Sequence, residues 1–140
     1  MQQFESIKTV LEIVSKYYAE TQAIYLFGSA AENKLRPDSD IDIALLLPHD
    51  IAKSKPSLAM TPLQHELENS LQREVDLINL RQVSTVFQYI IVNRGRTIFC
   101  ATTDECKLFE MLVWSFYQKL NEERADILAT FLQTGKTYGL

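Results

Sequence analysis

Residues 24–47 read I-Y-L-F-G-S-A-A-E-N-K-L-R-P-D-S-D-I-D-I-A-L-L-L. Two short apolar runs, Ala23–Phe27 and Ile41–Leu47, are strand candidates of the kind buried on both faces. Between them lie a Gly28-Ser29 turn and a polar loop over residues 33–39 containing Pro37. Asp40 and Asp42 open the second run. An acid is disfavoured in an apolar strand. Two acids at i and i+2 share a sheet face, roughly 7 Å apart. Like charges held that close disfavour each other's ionisation. A hard divalent cation relieves that cost, and carboxylates are the ligands Mg²⁺ prefers. The pair therefore points to a metal site at the head of a strand.

Gly28 permits a sharp turn and a close approach to the backbone. Ser29 then opens the next segment, where free N–H groups and the hydroxyl suit a phosphate. A third acid is available in Arg73–Leu80, which reads as another strand. Asp76 sits there among Val75, Leu77 and Ile78. It reaches Asp40 and Asp42 if its strand pairs beside theirs, since neighbouring strands are about 4.8 Å apart. An anion site beside a three-carboxylate metal site is the apparatus of phosphoryl or nucleotidyl transfer.

The pattern G-S, ten residues, D-x-D, followed by a later strand Asp, resembles the polymerase-β-type nucleotidyltransferase superfamily. The short length and the run R-P-D-S-D-I-D-I-A resemble its minimal members, the MNT-domain antitoxins of HepT–MntA toxin–antitoxin systems. The resemblance implies a small mixed sheet flanked by helices, an α/β (α+β) fold, with a C-terminal helical extension. It also implies two Mg²⁺ ions on Asp40, Asp42 and Asp76, with Asp76 either completing the second metal site or accepting a proton. Gly28 and Ser29 would grip the nucleotide phosphates. ATP would be the donor, and a tyrosine of a HepT-like HEPN RNase toxin the acceptor, neutralised by AMP. Many relatives carry an Arg two residues after the Ser. Ala31 stands there in this chain, and Lys34 or Arg36 are the substitutes at hand, with two solvated surface charges the bland alternative. Two other functions are an aminoglycoside-type small-molecule nucleotidyltransferase and a non-catalytic toxin-binding antitoxin. A chain of 140 residues leaves little material for the acceptor pocket of the first, and the intact acids argue against the second.

A length of 140 residues suits one domain, 1–140, with its core over about 1–100 and a helical segment over about 103–134. A net charge of −4 argues against direct nucleic-acid binding, which rests on Lys and Arg. No apolar run approaches a membrane span, and the N-terminus reads as an amphipathic helix with acids rather than a signal peptide. The expectation is a soluble cytoplasmic protein. Cys100 and Cys106 match no zinc spacing and are expected to be structural, one ending a strand and one opening a helix.

The remaining periodicity predicts helices over 3–20, over 58–72 with its regular part after Pro62, and over 83–93 with Gly95 as its cap. Residues 49–57 read as a polar connector, and 97–100 as a small edge strand. His65 is expected on the surface. From Thr103 a helical pattern runs to about Gln133, with a break expected near the polar patch at 121–124. Thirty helical residues span about 45 Å, more than a domain of this size needs. Large apolar residues on two of its faces suggest packing on the domain and on a further partner, as in a hetero-oligomer formed through this helix. The equal alternative is that it wraps its own sheet.

Overall fold

The computed structural model describes residues 2–28, 40–55 and 57–134. The loop over 33–39 and the tail over 135–140, both read from sequence, lie outside the described residues. Four strands form one sheet: β1 (Ala23–Phe27), β2 (Ile41–Leu46), β3 (Val75–Asn79) and β4 (Arg96–Cys100). Their order is β3-β2-β1-β4, with β1 antiparallel to both β2 and β4 and β2 parallel to β3. The sheet is mixed, as the resemblance implies. The expected edge strand is β4, which begins one residue earlier than read.

Strand alternation sorts the core into two layers. Ile24, Leu26, Ile41, Ile43, Leu45, Val75 and Leu77 face α1 (Gln2–Tyr17), α2 (His49–Ser54) and α3 (Pro62–Leu71). Ala23, Tyr25, Ala44 and Leu46 face α4 (Thr85–Arg94) and α5 (Thr103–Thr134). β1 and β2 are buried on both faces, the reason their sequences are near-continuous apolar runs.

The helices stop and start where their caps dictate. Thr61 accepts a hydrogen bond from Gln64 N ahead of Pro62, and Ser84 accepts one from Phe87 N. Gly95 donates its N–H to Ile91 O, closing α4 as expected. A 3₁₀ turn at Leu80–Gln82 joins β3 to α4.

Two sequence readings are corrected. Residues 49–57 are not all connector: His49–Ser54 is helical, because Ala52 is fully buried and Ile51 packs on the core. Six residues are too few to display a helical period. α2 is held against β3 by Asn79, whose Nδ2 donates to Ala52 O at 3.0 Å and Lys55 O at 2.6 Å. Second, α5 does not break near 121–124 but runs 32 residues unbroken. That patch contains neither Gly nor Pro, so nothing obliges the backbone to leave the helix.

At the end of the sheet where β2 finishes, Arg81 donates to Leu47 O and Gln22 Oε1, and its guanidinium lies 5.5 Å from the Phe109 ring centroid. Cys100 and Cys106 are joined by a disulfide, with Cα atoms 6.4 Å apart, linking the end of β4 to the first turns of α5. Among the described residues, no helix is long and apolar enough to cross a membrane.

Candidate active site

The opposite end of the sheet carries the acids. Asp42 is the register partner of Asp76 across the parallel β2–β3 pair and of Phe27 across the antiparallel β1–β2 pair. Partners in register point to the same sheet face. Asp42 therefore stands between a carboxylate and an aromatic ring, on the face that carries α4 and α5. Asp40 lies two residues before Asp42, just ahead of β2, and is exposed. The sequence reading needed Asp76 to come beside Asp42, and the register places it there. Backbone pairing locks that entry: Ile41 N donates to Glu74 O at 2.9 Å.

The electrostatics follow from the neighbours. Burial raises the Asp42 carboxyl above the ordinary carboxylate range, and the charges of Asp76 and then Asp40 add to the shift. Asp42 is only half-buried, and Asp76 is exposed. The apolar side comes from Phe27, which meets Phe87 of α4 edge-on with ring centroids 5.7 Å apart. Sequence reading missed both rings as neighbours of the acids. The usable signal was the position of Phe27 immediately before Gly28.

Gly28 closes the site from β1. Its φ is +65°, a backbone region that L side chains rarely adopt. A Cβ built there would lie 2.3 Å from Asp42 Oδ2. Two separate requirements, the turn and the closeness of Asp42, thus call for glycine at this position. Ser29, Lys34 and Arg36 lie outside the described residues. His65 is exposed on α3, as expected.

The donor set suits a hard divalent cation: carboxylates at one sheet end, carrying mutual repulsion that a cation removes. Among the described residues, no three His, Cys, Asp or Glu side chains are drawn together as an assembled ion site.

A family model for polymerase-β nucleotidyltransferases matches residues 8–104, a span that includes Gly28 and all three acids. The chain is a polymerase-β-type nucleotidyltransferase. It is 34% identical over 128 residues to the protein adenylyltransferase MntA of Shewanella oneidensis, covering 91% of this chain and 88% of that protein. A crystal structure of a toxin–antitoxin with AMP-PNP superposes with a TM-score of 0.70 at 29% identity, covering 90% of this chain and 98% of that one. A structure of the tri-AMPylated Shewanella oneidensis HEPN toxin in complex with its MNT antitoxin superposes with a TM-score of 0.67 at 29% identity, covering 94% and 99%. These likenesses extend through nearly the whole nucleotidyltransferase, its long C-terminal helix included.

Proposed function

We propose that this nucleotidyltransferase is an antitoxin that transfers AMP from ATP to a tyrosine of a HepT-like HEPN RNase toxin and thereby silences it. One observation carries the reading. The Asp42–Asp76 register pair beside Gly28 occurs in a chain that aligns over 91% of its length with a protein adenylyltransferase.

In this reading Asp40, Asp42 and Asp76 would hold two Mg²⁺ ions, whose charge would offset that of the triphosphate and favour loss of the acceptor hydroxyl's proton. Gly28 and Ser29 bind the β- and γ-phosphates through backbone N–H groups and the serine hydroxyl. Lys34 and Arg36 are the cations that follow Ser29 in the sequence and would be the ones available to the phosphates. The tyrosine oxygen forms a bond to the α-phosphorus, in line with the departing group. The bond from the α-phosphorus to the bridging oxygen breaks, and pyrophosphate leaves with that electron pair. The tyrosine proton passes to a carboxylate, with Asp76 the exposed candidate. The reaction takes place in the cytoplasm, where ATP and an RNase toxin's target meet.

The test is incubation with α-labelled ATP, Mg²⁺ and the product of any reading frame adjacent to this one. Label is expected on that protein and not on a small amine or sugar. Asp40→Asn combined with Asp42→Asn is expected to abolish labelling while the chain still folds. Label on a small molecule would make this a small-molecule enzyme. Protection of cells by the double variant would make it a binding antitoxin.

A further inference from the structure

Cys100 and Cys106 are the two cysteines of the chain, and they are bonded to each other across six residues. The two ends of the bond differ. Cys100 closes β4 and is exposed, whereas Cys106 is buried with Tyr25, Ala44 and Leu46. β4 is an edge strand, paired among the described residues with β1 alone. Four of its five residues are exposed, and its register with β1 shifts between Ile24 and Tyr25. Phe109 and Val113 hold α5 further along, so the part of the chain that the disulfide itself steadies is local. It comprises the end of β4, the connecting turn and the first turn of α5. Two backbone hydrogen bonds belong to it: Ala101 N donates to Gln22 O at 2.8 Å, and Cys106 N donates to Thr102 O at 3.2 Å. The acids lie at the other end of β1. Ala23 pairs with Cys100 and Phe27 with Asp42, four residues or about 13 Å apart along the strand.

We infer that the Cys100–Cys106 bond is a redox-sensitive latch, opened by dithiols and closed by low-molecular-weight disulfides, that sets how firmly the first turn of α5 is held to the end of β4. The inference rests on the proposed function, because a chain that uses ATP to silence an RNase works in a reducing compartment. Disulfides found there are transient, and are catalytic or redox-sensing rather than permanent staples. The distance from the acids leaves this pair no part in the transfer itself. Exposed disulfides are the labile, regulatory kind, and Cys100 is the exposed end. Opening begins when a thiolate of the dithiol attacks the Cys100 sulfur. Cys106 leaves with the electron pair of the S–S bond and takes up a proton. The second thiol of the reductant then displaces Cys100, which is also protonated, and the reductant departs as a disulfide. Closing is the reverse, with two electrons and two protons passing to an oxidising disulfide that leaves as two thiols. In the open state Cys106 keeps its place in the core, while the turn and the first helical turn open more often. The carboxylates are too distant to respond. α5 begins at the latch, and it is the helix through which a hetero-oligomer is expected, so the latch acts on capture of a protein acceptor and not on ATP.

The experiment equilibrates the full chain in glutathione buffers running from fully reduced to fully oxidised. At each step, free thiols are counted by alkylation and mass spectrometry, and amide hydrogen exchange is followed over residues 101–107. The count should pass from two thiols to none within the series, and the Ala101 and Cys106 amides should exchange more slowly once the bond has closed. Cys100→Ser, an exposed substitution, should show the faster exchange at every step. Affinity for ATP with Mg²⁺ should be the same in both states. KM for whichever protein takes up label from α-labelled ATP should be at least about five-fold lower in the closed state, the size of a modest coupling between sites. Two thiols at every step overturn the latch. So does a bond that survives the most reducing buffer, and so does closure that leaves exchange and KM unchanged. If thiol count and exchange switch together while no protein is labelled in either state, the proposed transfer fails and the redox switch of the α5 turn stands.

Discussion

Gly28 and Asp42 are so close that a single added carbon on Gly28 would lie 2.3 Å from Asp42 Oδ2. Gly28→Ala therefore forces the carboxylate aside, and at φ +65° it also places a side chain in the left-handed region. The backbone cost is about 1–2 kcal/mol. A displacement of about 1 Å at a reacting centre costs about a hundred-fold in rate. The expected outcome is a chain that melts slightly early but has lost nucleotidyl transfer almost completely. Comparing urea unfolding with transfer rates for the same preparation checks it. A variant with near-parental transfer would show that Asp42 need not hold this position.

Asp42→Asn should uncouple stability from activity. The carboxyl is raised in the fold by burial and by Asp76 and Asp40. As pH rises past the ordinary Asp value of 3.8, the unfolded chain loses its proton first. Over that window the folded state holds more protons, so stability falls as pH rises. The asparagine variant lacks this fall. It should be the more stable protein above the window without divalent cations, and it should be inactive. Urea melts on either side of the window, with and without Mg²⁺, test both halves. Mg²⁺ should stabilise the parent more than the variant, since a ligand that binds only the folded state adds to stability.

Tyr25 tests how the α5 seat titrates. The residue is fully buried, and its hydroxyl donates to Glu110 Oε1 over a long 3.4 Å. Burial first, and then Glu110, push the phenol well above the ordinary tyrosine range. The unfolded chain therefore ionises first at alkaline pH, and stability falls as pH rises into that range. Tyr25→Phe should remove this tyrosine's share of the alkaline loss. Near neutral pH it should cost no more than about 1 kcal/mol, because the lost hydrogen bond is weak. Melts at neutral and alkaline pH separate the two effects.

Two leucines should differ sharply. Leu67 is fully buried between α3 and the sheet, whereas Leu132 near the end of α5 is 73% exposed. Leu67→Ala should cost about 2–5 kcal/mol through the cavity it leaves. Leu132→Ala should change stability by less than about 0.5 kcal/mol. Denaturant midpoints of the two variants check the contrast. A large loss at Leu132 would mean that the end of α5 folds back on the chain.

How much of this was legible in the sequence depended on how local each cause is. Ala23–Phe27 was read to the residue because an apolar strand buried on both faces advertises itself. Thr61-Pro62 and Gly95 mark helix ends through their own backbone chemistry, and α3 and α4 obey them. Asp40, Asp42 and Asp76 were picked out because an acid in an apolar strand needs a reason. The pairing of Asp42 with Asp76 required knowing the β2–β3 register, which a chain states only once it is folded. Phe87 as a wall of the site was out of reach for the same reason, whereas Phe27 left one trace, its place immediately before Gly28. α2 was too short to show its period, and its stability comes from burial of Ala52 and the Asn79 hydrogen bonds, both tertiary. The expected break in α5 treated a run of polar residues as a stop, though polarity alone does not end a helix. The Cys100–Cys106 bond depended on the turn between β4 and α5 bringing the ends of the two elements together.

That bond has a mechanical consequence. It ties the base of α5 to the rim of the sheet, and Phe109 and Val113 clamp the next turns. Tyr89 of α4 meets Trp114 edge-on and stacks on Tyr117, and the helix beyond Tyr117 forms a cantilever about 25 Å long. Tilting its root by ten degrees would swing the far tip through about 4 Å, most of a helical turn. Substitutions at the root, well away from any cargo, can therefore re-aim the arm without altering a single residue along it.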